Sequence, residues 1–131
     1  MVVSGNLLDT SVLIAHDEEQ AIDLPPSAAI SVITVGELVA GVALARDTAT
    51  AAARRRRLLA VRAAFAPLPV DEPVAERYGE LLAVARSERR TVKATDVLII
   101  ATAAASGRVL HTRDVAQARL ADAGGVAARL V

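Results

Sequence analysis

The chain has 131 residues, the usual size of one domain and enough to bury a hydrophobic core. Its 15 basic and 15 acidic residues give a formal net charge of zero, which argues against a uniformly basic nucleic-acid binder. Cysteine is absent, which excludes disulfides and thiolate metal sites, so any metal must be bound by oxygen atoms or by His16 and His111.

The hydrophobic pattern predicts strands that alternate with helices. Strands are expected at residues 2–8, 28–33, 108–112 and 126–130, and residues 67–70 are expected to form a short strand or an extended connection. Helices are expected at residues 34–46, 49–65, 73–90, 96–107 and 115–125, with a short helix or turn directly after Asp9. Such an alternation predicts parallel pairing and an α/β/α sandwich of three layers. We therefore expect residues 1–131 to form a single α/β domain with a mainly parallel sheet of four to five strands.

Two further features concern the segments around these elements. Residues 17–27 are expected to form a loop or broken helix, because Pro25 and Pro26 oppose helix formation. The first residues lack the basic region of a secretory signal, and the longest apolar-leaning run, VLIIATAAASG, is shorter than the roughly 20 residues that span a bilayer. We expect a soluble, cytoplasmic protein.

Four acidic residues lie where an apolar run gives way to a helical pattern. They are Asp9, Glu37, Asp96 and Asp114, in LLDTSVLI, ITVGELVAGV, ATDVLIIATA and LHTRDVAQA. If each apolar run is a parallel strand, the four carboxylates gather at the edge of the sheet where open α/β folds bind ligands.

Each acid also has an ordinary structural explanation. Asp9, Asp96 and Asp114 suit helix N-caps, and Glu37 completes a capping box that begins at Thr34. Capping, however, is served equally well by Ser, Thr or Asn. Like charges about 4 Å apart repel by a few kcal/mol per pair even at an effective dielectric of about 20. Four acids in one pocket therefore indicate a site for a hard divalent cation such as Mg²⁺ or Mn²⁺.

Hydroxyl and basic side chains accompany the acids. Thr10, Ser11 and Thr112 are candidates for contacts with phosphate oxygens or with metal-bound water, besides their capping roles, and Lys93 and Arg113 are candidates for binding substrate phosphates. The run Arg54–Arg57 has two interpretations, a solvated helix face or a surface that binds a phosphate backbone or a partner. The spacing of His16 and His111 predicts structural or solvent roles, and that of Phe65 and Tyr78 predicts core packing.

These motifs give the chain a family resemblance. LLDTSVLI, SVITVGELVAGV, ATDVLIIATA and LHTRD occur in the order found in PIN-domain ribonucleases, and the chain most closely resembles the VapC-type toxins of bacterial toxin-antitoxin pairs. The resemblance implies that Asp9, Glu37, Asp96 and Asp114 bind Mg²⁺ or Mn²⁺ and catalyse hydrolysis of RNA phosphodiesters. It also implies inhibition by a small antitoxin and a homodimer, or a higher hetero-oligomer with the antitoxin. The last motif departs from the family, because VAQA follows Asp114 where a further acid and an aromatic residue often stand.

Three alternatives come from other classes of protein. A receiver-like signalling domain also binds Mg²⁺ through acids at strand ends. A phosphoaspartyl hydrolase requires a second Asp two residues after the first, where this chain has Ser11. The third is a PIN scaffold without catalytic activity that binds only a partner.

Overall fold

The structure, a computed structural model, describes residues 5–19 and 21–131. The strands in these residues are β1 (Asn6–Leu8), β2 (Ala28–Ser31), β3 (Pro67–Leu68), β4 (Val109–Thr112) and β5 (Ala128–Leu130). The helices are α1 (Thr10–Glu19), α2 (Val32–Ala43), α3 (Thr48–Ala64), α4 (Glu72–Ser87), α5 (Ala94–Ser106) and α6 (Val115–Ala123). The α/β prediction is therefore confirmed.

The strands form one parallel sheet in the order β3-β2-β1-β4-β5. The chain moves outward from β1 to β3 and then crosses to the other side of β1, so the direction of winding reverses between β1 and β4. Receiver-like domains have the order 2-1-3-4-5. The receiver alternative is therefore wrong.

The core lies on both faces of the sheet, because successive strand residues point to opposite faces. Leu7 of β1 packs in a cluster with residues of α4, α5 and α6. The next residue, Leu8, packs in a second cluster with residues of α1, α2 and α3. Both leucines are completely buried. This arrangement confirms the three-layer sandwich.

Helix α5 is the most buried helix, as its nearly uniform apolar sequence predicts. Six of its residues are buried, namely Val97, Ile99, Ile100, Ala101, Thr102 and Ala103. Gly107 ends the helix with φ of 65°, a left-handed conformation that glycine adopts without strain. In the described ranges, no helix combines the length and apolar character needed to cross a membrane.

Several predicted boundaries were wrong by two or three residues. The strand expected at residues 28–33 ends at Ser31, because the Ser31 side chain accepts a hydrogen bond from the N–H of Ile33 at 3.0 Å and begins α2. Helix α1 continues to Glu19 and takes in residues that were expected to form a loop. Residues 2–4 of the first predicted strand lie outside the described residues.

Candidate active site

The candidate site lies at the carboxyl ends of β1 and β4, where the winding direction reverses. Asp9 directly follows β1, and its N–H donates to the carbonyl oxygen of His111 in β4 at 2.9 Å. Thr112 ends β4, and Asp114 follows two residues later. At such a point the segments that follow the two strands run to opposite faces of the sheet and leave a crevice, which is where open α/β sheets bind ligands.

Asp9 is held on both carboxylate oxygens. Its exposed fraction is 6%. Oδ2 accepts hydrogen bonds from the N–H of Ser11 at 3.2 Å and from the Ser11 hydroxyl. Oδ1 accepts one from Nε2 of Gln117 at 3.2 Å. The bond from the Ser11 N–H is the contact expected of a helix cap. The bonds from the Ser11 hydroxyl and from Gln117 are not needed for capping.

Gln117 connects Asp9 to the end of β4. Its exposed fraction is 3%, and its Oε1 accepts a hydrogen bond from the Thr112 hydroxyl at 2.6 Å. Thr112 Oγ1 in turn accepts from the N–H of Asp114 at 3.0 Å. Thr112 Oγ1 also lies 3.3 Å from Oδ2 of Asp9, but its single proton points to the nearer acceptor, Gln117.

Glu37 lies in the second turn of α2, and its side chain faces the residues that follow β1. Its Oε1 accepts a hydrogen bond from the Thr10 hydroxyl at 2.6 Å, and Thr10 Oγ1 is 3.0 Å from the buried hydroxyl of Thr34. The predicted capping box was wrong, because Ser31 caps α2 and Thr34 is already inside the helix. Thr10 therefore directs Glu37 toward the site.

Asp96 lies in the first turn of α5 and is partly buried. Two predictions about its position were wrong, because α4 rather than a strand precedes α5, and Lys93 rather than Asp96 is the N-cap. Burial raises the pKa of Asp96, and the negative charges of Asp9, Asp114 and Glu37 raise it further. The positive charge of Lys93 acts in the opposite direction.

Asp114 is the most exposed of the four acids and is the N-cap of α6. Its Oδ1 accepts a hydrogen bond from the N–H of Gln117 at 3.2 Å, so the capping interpretation of this residue is confirmed. Asp114 also acts on Asp96 through its charge. Capping and a role in the acidic site are therefore compatible for this residue.

The four carboxylates share one electrostatic environment, since the other three all raise the pKa of Asp96. They do not converge on one point, because no group of three or more acidic or histidine side chains within residues 5–19 and 21–131 has the spacing of a formed metal site. A cavity of about 270 Å³ opens beside Glu37, with Ile14 and Arg54 in its lining. The four acids are thus electrostatically coupled at this edge of the sheet but are not arranged around a formed metal site in the described residues.

Basic residues stand at the rim of this edge. Lys93 is exposed at the N-cap of α5. Arg113 is exposed, pairs with Glu19 at 3.6 Å, and donates its backbone N–H to the Ser11 hydroxyl at 3.1 Å. Contacts of Lys93 and Arg113 with phosphate stay a prediction.

The arginines of the run Arg54–Arg57 on α3 have two kinds of surroundings. Neither a solvated helix face nor a binding surface therefore describes all of them. Arg57 pairs with Asp17 and Glu18 of α1, each at 2.9 Å. Arg54 donates to the carbonyl oxygen of Gly41 at 2.7 Å. These two arginines fix α3 against α1 and α2, whereas Arg55 and Arg56 are exposed.

The histidines and aromatic residues contact structural groups. Nε2 of the buried His111 lies 2.8 Å from Oδ1 of Asn6, and Nδ1 of His16 lies 2.6 Å from the carbonyl oxygen of Ile22. Burial, and secondarily the charge of Arg129, lower the pKa of His111. Tyr78 and Phe65 each pack against one of the two core clusters.

Sequence reasoning missed Gln117 and the contact role of Thr34. A single glutamine belongs to no motif, and only its spacing of three residues from the cap Asp114 hints that it faces the same side. The Thr10, Ser11 and Thr112 hydroxyls were proposed to contact substrate. In the structure these hydroxyls donate hydrogen bonds to Glu37, Asp9 and Gln117, respectively. Such contacts favour supporting roles.

Comparison with known proteins identifies the family. The PIN domain family profile matches residues 7–123, a span that includes all four acids. Ribonuclease VapC8 of Mycobacterium tuberculosis is 46% identical over 104 residues, which cover 77% of this chain and 92% of VapC8. VapBC-5 from Mycobacterium tuberculosis, a solved member of the VapBC family of toxin-antitoxin systems, has a TM-score of 0.84 and 35% identity over 97% of this chain and 98% of that one. FitAcB from Neisseria gonorrhoeae has a TM-score of 0.72 and 31% identity over 93% and 94% of the two chains. The chain therefore belongs to the PIN-domain family, and its relatives there include the VapC ribonucleases.

Proposed function

We propose that this chain is a metal-dependent endoribonuclease that acts in the cytoplasm as the toxin of a VapBC-type toxin-antitoxin pair, with residues 1–131 as a single PIN domain. The observation that carries the proposal is the electrostatic coupling of four acids at the switch point of the sheet. Named ribonucleases among the relatives support the activity, and the VapBC structure supports an antitoxin partner.

The donor set suits a hard divalent cation. All four candidate ligands are carboxylates, and burial, together with repulsion from the other three, raises the pKa of Asp96. A bound cation removes that repulsion, and oxygen donors are those that Mg²⁺ and Mn²⁺ prefer. Metal dependence is typical of PIN domains. Asp9 and Asp96 would be the principal ligands, while Glu37 and Asp114 would complete the site.

The protein's own residues position the reacting groups. Ser11 and Gln117 hold the carboxylate of Asp9, and Thr10 holds that of Glu37. Lys93 and Arg113 at the rim would bind the non-bridging oxygens of the scissile phosphate. When bound, Mg²⁺ or Mn²⁺ supplies a water of lowered pKa and neutralises charge on the phosphate. Attack of water on phosphorus would leave 5′-phosphate and 3′-hydroxyl ends.

The partners follow from the same relatives. A small antitoxin would inhibit the nuclease, and the toxin would form a homodimer or a larger complex with it. The RNA substrate would reach the acids from the open edge, where the cavity beside Glu37 extends the site.

A cleavage assay tests the proposed function. We expect purified protein to cleave RNA with Mg²⁺ or Mn²⁺, to lose activity in EDTA, and to leave 5′-phosphate ends. Asp9→Asn and Asp96→Asn should each lower the rate by at least about 100-fold, because each removes a charged ligand. Asp47→Asn is the matched control, since Asp47 is an exposed cap of α3, where asparagine serves equally well.

Two results would contradict the mechanism. Cleavage that persists in EDTA would rule out a role for the metal. Wild-type rates in both acid variants would rule out the acidic site. A protein that binds Mn²⁺ and an antitoxin but cleaves no RNA under any condition would support the alternative of an inactive scaffold.

A further inference from the structure

Gln117 is a buried polar side chain that joins three elements of the site. It lies in α6, and its Nε2 is 3.2 Å from Oδ1 of Asp9 after β1 and 3.4 Å from the backbone carbonyl oxygen of Asp96 in α5. Its Oε1 accepts from Thr112 at the end of β4. An amide with an exposed fraction of 3% and a partner on each side is fixed in position.

The chemistry of the partners determines which way the amide faces. The carboxylate of Asp9 and the carbonyl of Asp96 both accept hydrogen bonds, so they require the NH₂ group. Thr112 Oγ1 already accepts the N–H of Asp114, so its proton is free to donate to Oε1. The reversed amide would set its oxygen against two acceptors.

The consequence for Asp9 concerns the orientation of its carboxylate. A carboxylate rotates easily about its terminal bond. Ser11 restrains only Oδ2 of Asp9, and Gln117 restrains Oδ1. Because the same NH₂ group contacts the backbone of Asp96, it also fixes the position of Asp9 relative to the first turn of α5.

We infer that Gln117 is a positioning residue that fixes the Asp9 carboxylate relative to the first turn of α5, which carries Asp96, for metal binding. The inference rests on the proposed function, since it assigns Asp9 and Asp96 as principal ligands. Gln117 itself needs no contact with metal or substrate. Partners that orient a ligand typically change metal affinity by about 10–100-fold when they are lost.

The test compares Gln117→Met with Thr102→Val. Methionine has nearly the length of glutamine but forms no comparable hydrogen bonds. Thr102→Val removes a hydroxyl with an exposed fraction of 1% that donates to the Leu98 carbonyl within α5. Calorimetric titration of metal-free protein with Mn²⁺ should show roughly tenfold weaker binding for Gln117→Met and unchanged binding for Thr102→Val. The KM for RNA at saturating metal should stay unchanged in both.

A second variant and a second measurement keep the test decisive. Thr112→Val removes the donor to Oε1 of Gln117 together with the acceptor of the Asp114 N–H, so it should weaken Mn²⁺ binding in the same direction. In metal-free protein, the ¹³C resonance of the Asp9 carboxylate should move in Gln117→Met and stay in place in Thr102→Val.

The outcomes separate this inference from the proposed function. Wild-type Mn²⁺ affinity in a folded Gln117→Met protein overturns the role of Gln117, even where the wild type cleaves RNA. If the wild type binds no Mn²⁺, the proposed function fails, and the ¹³C measurement then decides whether Gln117 orients Asp9. An Asp9 resonance that does not move in Gln117→Met overturns the inference.

Discussion

Asp9 and Asp96 carry the same charge in one site, yet their surroundings are opposite. Asp9 is buried at the end of β1 and accepts hydrogen bonds on both oxygens. Asp96 is partly buried at the start of α5, where burial and three neighbouring acids raise its pKa. The comparison shows that hydrogen-bond donors hold the carboxylate of Asp9, whereas burial and neighbouring negative charge dominate the surroundings of Asp96.

The largest expected effect is the response to metal. At Mn²⁺ concentrations about 100 times the Kd, the wild-type protein should gain about 2.7 kcal/mol of stability. Thermal unfolding should show this as a rise in Tm that is largely lost in Asp9→Asn and Asp96→Asn and kept in Asp47→Asn. If the two acid variants keep the full rise in Tm, the metal binds elsewhere.

The next effect distinguishes the two acids in the absence of metal. Asp9→Asn should lower the free energy of unfolding by roughly 1–2 kcal/mol, because an amide NH₂ group would then face either Ser11 or Gln117, both of which donate. Gln117 cannot reverse its amide without turning Oε1 toward the Asp96 carbonyl. Urea unfolding in EDTA measures this loss, and Asp47→Asn should show almost none. Equal stability of Asp9→Asn and wild type would mean that the donors around Asp9 contribute little.

The smallest expected effect is a gain in stability, opposite in sign to the loss expected for Asp9→Asn. Asp96→Asn should raise the Tm of metal-free protein at neutral pH by a few degrees at most, because it removes a charge that burial and neighbouring acids disfavour. The folded pKa of Asp96 is raised above the ordinary value of 3.8, so the folded state holds this proton more tightly. Wild-type stability therefore falls as pH rises from about 3.8 through the raised pKa, and the loss is complete above it.

The variant should consequently exceed the wild type at pH 7 and match it near pH 3. Unfolding curves measured in EDTA across this range provide the check. A gain that is as large at pH 3 as at pH 7 would show that ionisation of Asp96 is not its source.

Much of the fold could be predicted because it depends on local patterns. Alternating apolar runs and helical spacing located the strands and helices, and Gly107 marked the end of α5 correctly. Errors occurred where two local signals competed. Ser31 stands within an apolar run that continues to Ile33, and its capping bond begins the helix before that run ends.

The four acids predicted from the sequence act on one another electrostatically in the structure, but the predicted route to the site was wrong for two of them. Asp9 and Asp114 do follow strands. Glu37 instead reaches the site from the second turn of α2, and Asp96 from a helix that no strand precedes. The four acids lie in similar sequence contexts, but different kinds of structural element bring them to the site.

The sequence by itself predicted the order of the strands and helices along the chain, the parallel α/β class and the four acids proposed as the site, because periodicity, capping residues and charge are properties of short segments. Only the tertiary structure decided the strand order, the unequal surroundings of Asp9 and Asp96, and the place of Gln117 between them. These depend on contacts between residues that are up to 108 positions apart in the chain. A local sequence pattern does not predict which hydrogen-bond donor a helix far along the chain contributes to a carboxylate.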